Sequence, residues 1–195
     1  FGNWMAEWLH RGIMALCGFS PVLMGVLIGG LWQVLVSVGI HGIITVLAFA
    51  DVLAGNSSPL LALSYSASFA VSGVAFAVFM RSRNSGEKQT AKAGAVSAIM
   101  GATEPAMYAL IKPDKKRFAL CCAGGALGGA TAGFFGISMH AYAGMGITGL
   151  FGFFQTGDVK LVGVLLMAVL PFGFTWLIEM LLYLSLIHIS EPTRH

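Results

Sequence analysis

Two side chains in this sequence are of a type and in a setting that could do chemistry. Glu104 stands in an apolar stretch, Met100-Gly-Ala-Thr-Glu-Pro-Ala-Met-Tyr108. A carboxylate in such a stretch costs about 3 kcal/mol or more unless it is paired or hydrated, so its presence points to a use. Pro105 sharpens the reading. The residue before a proline is pushed away from the α region, and proline suits the first position of a new helix. The sequence therefore predicts a helix start at Glu104-Pro105, with Thr103 alongside and free backbone N–H groups nearby. A carboxylate there can accept hydrogen bonds from the hydroxyls of a bound molecule or act as a general base. The competing reading is a helix cap or an interhelical ion pair.

His41 is the second such residue. Gln33, Ser37, His41 and Thr45 recur at every fourth position. On a continuous helix such positions drift by only about 40° per step and share one face. A polar stripe on an apolar helix predicts a cavity or another helix beside it rather than lipid. A histidine alone also suits a hydrogen-bonded core position, and packing alone could account for Gln33. Trp32 reads as a packing aromatic before a stacking platform, Asp51 as a helix-end or interfacial residue, and His140 has no evident partner. No metal-ligand constellation, phosphate-binding loop or nucleophile motif is present, and no cofactor is expected.

The elements that must hold these residues follow from composition. Of 195 residues, 57% are hydrophobic and only 10% charged, with a mean hydropathy of +0.83. Soluble domains carry roughly 25% charge. The balance excludes a disordered chain, a basic nucleic-acid-binding domain and an ordinary soluble enzyme. It predicts an all-α, polytopic membrane protein in a lipid bilayer, since about 20 apolar residues cross one. Spans are expected at about 21–50, 59–80, 118–138 and 161–183. The Gly55-Asn-Ser-Ser-Pro59 cluster is a turn. Residues 1–20, with Trp4, Trp8 and Arg11, read as an interfacial helix or the end of a preceding span. Glu179 lies in the last span with no evident setting. Cys17, Cys121 and Cys122 form no metal or disulfide pattern and read as inert buried thiols.

Of the 11 basic residues, four lie in 81–92 and four in 112–117. Short loops rich in Lys and Arg favour the cytoplasm. If both loops are cytoplasmic, residues 93–111 enter the membrane and return, which predicts a re-entrant hairpin broken at Thr103-Glu104-Pro105. Irregular backbone at that depth is tolerated only where protein or a water-filled cavity satisfies it. Gly125, Gly129 and Gly133 form a small-xxx-small run that predicts a close helix contact. A second irregular or re-entrant piece is expected near Ala143-Gly-Met-Gly146.

The end of the chain carries its own expectation. Residues 184–194, Leu-Ser-Leu-Ile-His-Ile-Ser-Glu-Pro-Thr-Arg, read codon by codon as a translated transposase adapter, and His195 fits the next codon. The natural sequence is expected to stop near Tyr183. His188, Glu191 and Arg194 then carry no function.

Two motifs resemble a known family. Ser20 to His41, with Gly29-Gly-Leu-Trp-Gln33 within it, is similar to the "GGLWQxLVxxGLH" stretch of the membrane (IIC) component of bacterial sugar phosphotransferase systems. Gly101-Ala-Thr-Glu-Pro-Ala-Met-Tyr108 resembles that family's "GxTEPAxYG" motif, and Phe118 onward resembles its Gly-rich continuation. The likeness covers roughly 15–183 and looks most like the β-glucoside branch. It departs at Gly42, where the family has Trp, and at Ala109, where it has Gly. The resemblance implies that residues 1–183 are part of a IIC transport domain, that the protein is a homodimer, and that its transport domain moves against a scaffold. It implies a sugar, held by Glu104, His41, Thr103 and Gln33 and phosphorylated by a cysteine-phosphorylated IIB domain. Glu104 and His41 would serve that transfer. An ion-coupled sugar transporter with Glu104 as proton carrier is the alternative, and a sugar-binding sensor is a third reading.

Overall fold

The computed structural model describes residues 11, 12, 15, 18–154 and 161–190, with side chains as far as Leu182. Trp4, Trp8, Cys17 and loop 155–160 lie outside the described residues, as do Glu191 and Arg194. The described elements are helical, apart from one isolated bridge between Ser58 and Met139.

Helix α1, Pro21–Val38, starts where a serine cap and a proline coincide: Ser20 Oγ accepts the Leu23 N–H at 3.3 Å. It ends at Gly39, whose φ of 85° is open to glycine but strained for other residues. The Gly39 and Ile40 N–H groups reach back to the Val36 and Leu35 carbonyls at 3.1 and 3.0 Å, closing the helix end. Helix α2, His41–Leu53, then begins. The single span expected over 21–50 is thus two helices, and the turn between them resets the helical phase.

Helices α3, Pro59–Tyr65, and α4, Ala67–Arg81, form one nearly continuous rod interrupted at Ser66 and almost wholly buried. This rod is the centre of the core. Neighbouring side chains satisfy its backbone: Gln33 Nε2 donates to the Ala67 carbonyl at 3.0 Å and Thr175 Oγ1 to that of Ala70 at 2.9 Å. A buried carbonyl without such a partner would be costly.

Helix α5, Ser85–Ile99, runs through most of the stretch expected as a polar loop. Asn84 caps it, accepting the Glu87 N–H at 3.0 Å, and its alanines favour the helix. The chain breaks at 100–103, around Gly101 with φ 105°, just before the expected Thr103-Glu-Pro site. A short helix, α6, covers Glu104–Ala106 and leads into a π-helical turn, Met107–Ile111. The short helix starts at Glu104, with Pro105 in its first turn, where a helix start was expected. A Cβ on Gly94 would crowd that of Ala106 at 2.9 Å, so α5 and α6 pack closely.

Helix α7, Lys115–Phe135, takes in half of the second basic loop because Asp114 caps it, accepting the Lys116 N–H at 2.8 Å. Gly136 ends it, and an irregular stretch containing Gly144, with positive φ, leads to a 3-10 helix, Gly146–Phe153, whose first residue also has positive φ. Helix α8, Leu161–Ser190, contains Pro171 and continues past Tyr183. Four helical stretches are long and apolar enough to cross a membrane: Pro21–Val38, Pro59–Arg81, Lys115–Phe135 and Leu161–Leu182.

The glycine run works as its spacing suggests. A Cβ on Gly25 or Gly29 would overlap the carbonyls of Gly129 and Gly125, and one on Gly133 would overlap that of Pro21. Helices α1 and α7 therefore cross antiparallel, backbone against backbone. Gly124 and Gly128, on the adjoining side of α7, admit Thr175 and Ser66.

Candidate functional site

The turn at Gly39 and the break at Gly101 bring His41 and Glu104 together. His41 Nε2 lies 3.7 Å from Glu104 Oε1. That is ion-pair range for a protonated imidazole but too long for a hydrogen bond. The two side chains are 27% and 50% exposed, so each keeps open surface. His41 Nδ1 is buried and has no protein partner. Trp32 meets the imidazole edge to face, with centroids 6.3 Å apart and planes at 76°.

These residues line a cavity of about 350 Å³. That lies within the range of small-molecule sites, roughly 300–1,000 Å³. Its lining combines polar side chains, Glu104, His41, Thr103, Thr45 and Ser68, with apolar and aromatic ones, Trp32, Val36, Val46, Tyr142 and Met145. Tyr142 is backed by Phe49, two helical turns beyond His41, with ring centroids 5.0 Å apart.

Two chain breaks close one side. Gly101 lies so close to the Met145 carbonyl that a Cβ would overlap it, and Gly146 meets the Ile99 carbonyl in the same way. Tyr65, fully buried, donates its hydroxyl to the Gly146 carbonyl and anchors this second break.

The polar stripe read from the sequence does not survive intact. His41 and Thr45 line the cavity, but Gln33 does not. Gln33 is fully buried and bonded to Ala67, one residue from the cavity residue Ser68, with its Oε1 unpartnered. Ser37 donates to its own helix, at Val34, over 2.8 Å. The reason is the left-handed Gly39, which separates Gln33 and Ser37 from His41 and Thr45. Thr103 is where it was expected, almost buried at the cavity wall. Trp32 packs, at 6% exposure, and also lines the cavity. Sequence reasoning did not single out Ser68, Tyr142 or Met145. Nothing but the irregular Gly-rich stretch at 143–146 hinted at the last two.

A second charged cluster lies away from the cavity. Arg117 Nε donates to Glu179 Oε1 at 2.9 Å, and its Nη1 donates to Glu87 Oε1 at 3.1 Å. Asp114 Oδ2 is 3.7 Å from the same guanidinium. Glu87 also accepts the Ser82 hydroxyl at 2.6 Å. The cluster ties together α5, α7 and α8 and gives Glu179 its setting. Cys121 is buried and Cys122 half-buried, and both are free thiols. No group of residues suited to a metal ion occurs among the described residues.

Comparison with known proteins points one way. The family model described as "Phosphotransferase system, EIIC" matches residues 1–121. The chain is 32% identical over 156 residues to the β-glucoside-specific EIIBCA component of Halalkalibacterium halodurans, covering 80% of this chain and 24% of that protein. It is 26% identical over 193 residues to the arbutin-, cellobiose- and salicin-specific EIIBC component of Escherichia coli, covering 97% and 40%. It is 28% identical over 166 residues to the sucrose-specific EIIBC component of Bacillus subtilis, covering 85% and 32%. The chain thus spans between a quarter and two fifths of the length of these relatives. No solved structure matches it.

Proposed function

Because the chain belongs to the EIIC family of the phosphotransferase system, an integral component of the bacterial cytoplasmic membrane that crosses it several times, we propose that it carries a sugar across that membrane and presents it to a IIB domain for phosphorylation. The observation that carries this reading is the approach of Glu104 to His41 at 3.7 Å across an open cavity. A carboxylate beside an imidazole, both under-satisfied, suits a ligand rich in hydroxyls. Glu104 accepts the proton of the acceptor hydroxyl. The hydroxyl oxygen forms a bond to the phosphorus carried by the IIB cysteine, and the S–P bond breaks to release a thiolate. His41 and Thr103 hold the sugar by hydrogen bonds, and Trp32 packs against the imidazole edge. Gln33 acts from behind, bracing the Ala67 carbonyl next to Ser68.

The basic segments 81–92 and 112–117 are read as cytoplasmic, which makes 93–111 a re-entrant hairpin open toward the phosphodonor. The phosphodonor is read as the IIB domain, since Cys121 lies buried in α7. A homodimer completes the assembly. The substrate is read as a β-glucoside, supported by the names of two of the relatives and by the apolar and aromatic residues Val46 and Tyr142 in the cavity lining, which suit a non-sugar substituent.

The test is substrate turnover by the intact protein in inverted membrane vesicles with phosphoenolpyruvate and soluble phosphocarriers. Phosphorylation of an aryl β-glucoside in preference to sucrose is expected. Uptake driven by a pH gradient without phosphoenolpyruvate would replace this reading with the ion-coupled transporter in which Glu104 carries the proton. Binding with no uptake at all would leave only a sensor.

A further inference from the structure

His41 and Glu104 belong to separate segments and share no hydrogen bond, so something else must set their separation. The candidates are the contacts between the chain after Glu104 and the end of α1 just before His41. Tyr108 OH donates to the Val36 carbonyl at 3.3 Å. Lys112 Nζ donates to the Ser37 carbonyl at 3.3 Å and sits 5.1 Å from the centroid of the Tyr108 ring.

Both acceptors are carbonyls of the last turn of α1, where the chain leaves the helix; that of Val36 also accepts the Gly39 N–H at 3.1 Å, so Tyr108 adds a second donor to it. Glu104, Tyr108 and Lys112 follow one another at intervals of four residues. The π turn between them, closed by Lys112 N–H to the Met107 carbonyl at 2.7 Å, sets their direction. Turns of this kind occur often at functional sites. Tyr108 is 49% exposed, so burial does not account for its place.

We infer that Tyr108 and Lys112 are positioning residues that staple the Glu104 segment to the end of α1 and so hold Glu104 at its working distance from His41. The inference rests on the proposed phosphoryl transfer for its kinetic consequence but not for its geometric one. Neither side chain lines the cavity. Their loss lowers turnover while leaving sugar binding in place, because misplacing a reacting group slows chemistry more than it weakens binding.

The experiment compares Tyr108→Phe, Lys112→Met and Lys112→Gln with the parent protein in the vesicle assay. Tyr108→Phe and Lys112→Met are expected to lower kcat about ten-fold, with KM for the sugar within about two-fold. Lys112→Gln, which keeps a donor and loses the charge, restores most of the rate. A raised KM at unchanged kcat overturns the inference, as does no change in either. Rescue by Lys112→Arg but not by Lys112→Gln also overturns it, since the charge would then be serving the phosphodonor. Histidine-selective NMR of the same proteins supplies a readout independent of turnover. The His41 ring signals are expected to move in Tyr108→Phe and Lys112→Met as they move in Glu104→Gln, and unmoved signals count against the staple. If the parent shows no phosphoenolpyruvate-dependent turnover, the proposed function falls, while the NMR comparison still decides the staple.

Discussion

Glu104 and Glu179 are both acids in apolar sequence, and the fold treats them in opposite ways. Glu179 is 4% exposed and meets Arg117 at 2.9 Å, in a cluster that Glu87 and Asp114 complete. Glu104 is 50% exposed, and the His41 imidazole lies 3.7 Å from it. One carboxylate is saturated by protein. The other faces a cavity that leaves its hydrogen-bonding capacity free. A buried ion pair holds elements in register, whereas an unsaturated carboxylate in a cavity is completed by whatever binds there. The difference separates architecture from chemistry, which residue type alone does not.

Substitutions can break that contrast or sharpen it. The largest effect belongs to Glu104→Gln, which should lower kcat/KM for sugar phosphorylation by about 10³-fold and leave the thermal melt of the detergent-solubilised protein unchanged. A drop in melting temperature comparable to that of a cluster variant would make Glu104 structural too. Arg117→Met should do the reverse. It leaves Glu179 buried without its cation and is expected to cost about 3 kcal/mol of stability, seen in the same melt, with turnover per folded molecule nearly normal. The smallest effect is a partial repair. Adding Glu179→Met to Arg117→Met should recover about 1 kcal/mol, because an apolar pair replaces a stranded charge. A double variant no more stable than the single one would mean that the cluster acts through Glu87 and Asp114 instead.

Much of this was legible in the sequence. The apolar stretches found four long helices, because a span of that length leaves a mark that no tertiary context erases. Glu104 and His41 stood out because a titratable group among apolar residues is costly. The four-residue glycine period read directly as a close helix crossing. The stripe from Gln33 to Thr45 misled, since its arithmetic assumed an unbroken helix and a single left-handed glycine at Gly39 ended it. The polar stretch after Arg81 looked like a loop, although its asparagine cap and alanines make it helical from Ser85. Ser68, Tyr142 and Met145 reach the cavity only through tertiary packing. So does the pairing of Arg117 with Glu179, which lie in different helices and carry no mutual spacing to read.

The contact between α1 and α7 has a mechanical consequence. Where Gly25 and Gly29 lie against Gly129 and Gly125, no side chain stands between the backbones. There is no rotamer to reset and no slack to take up, so the crossing cannot yield gradually. The end of α1 that leads into His41 and the start of α7 that carries Arg117 are joined through it as through a welded hub. A shift of α1 that re-aims His41 therefore draws the start of α7, and Arg117 with it, along as ballast.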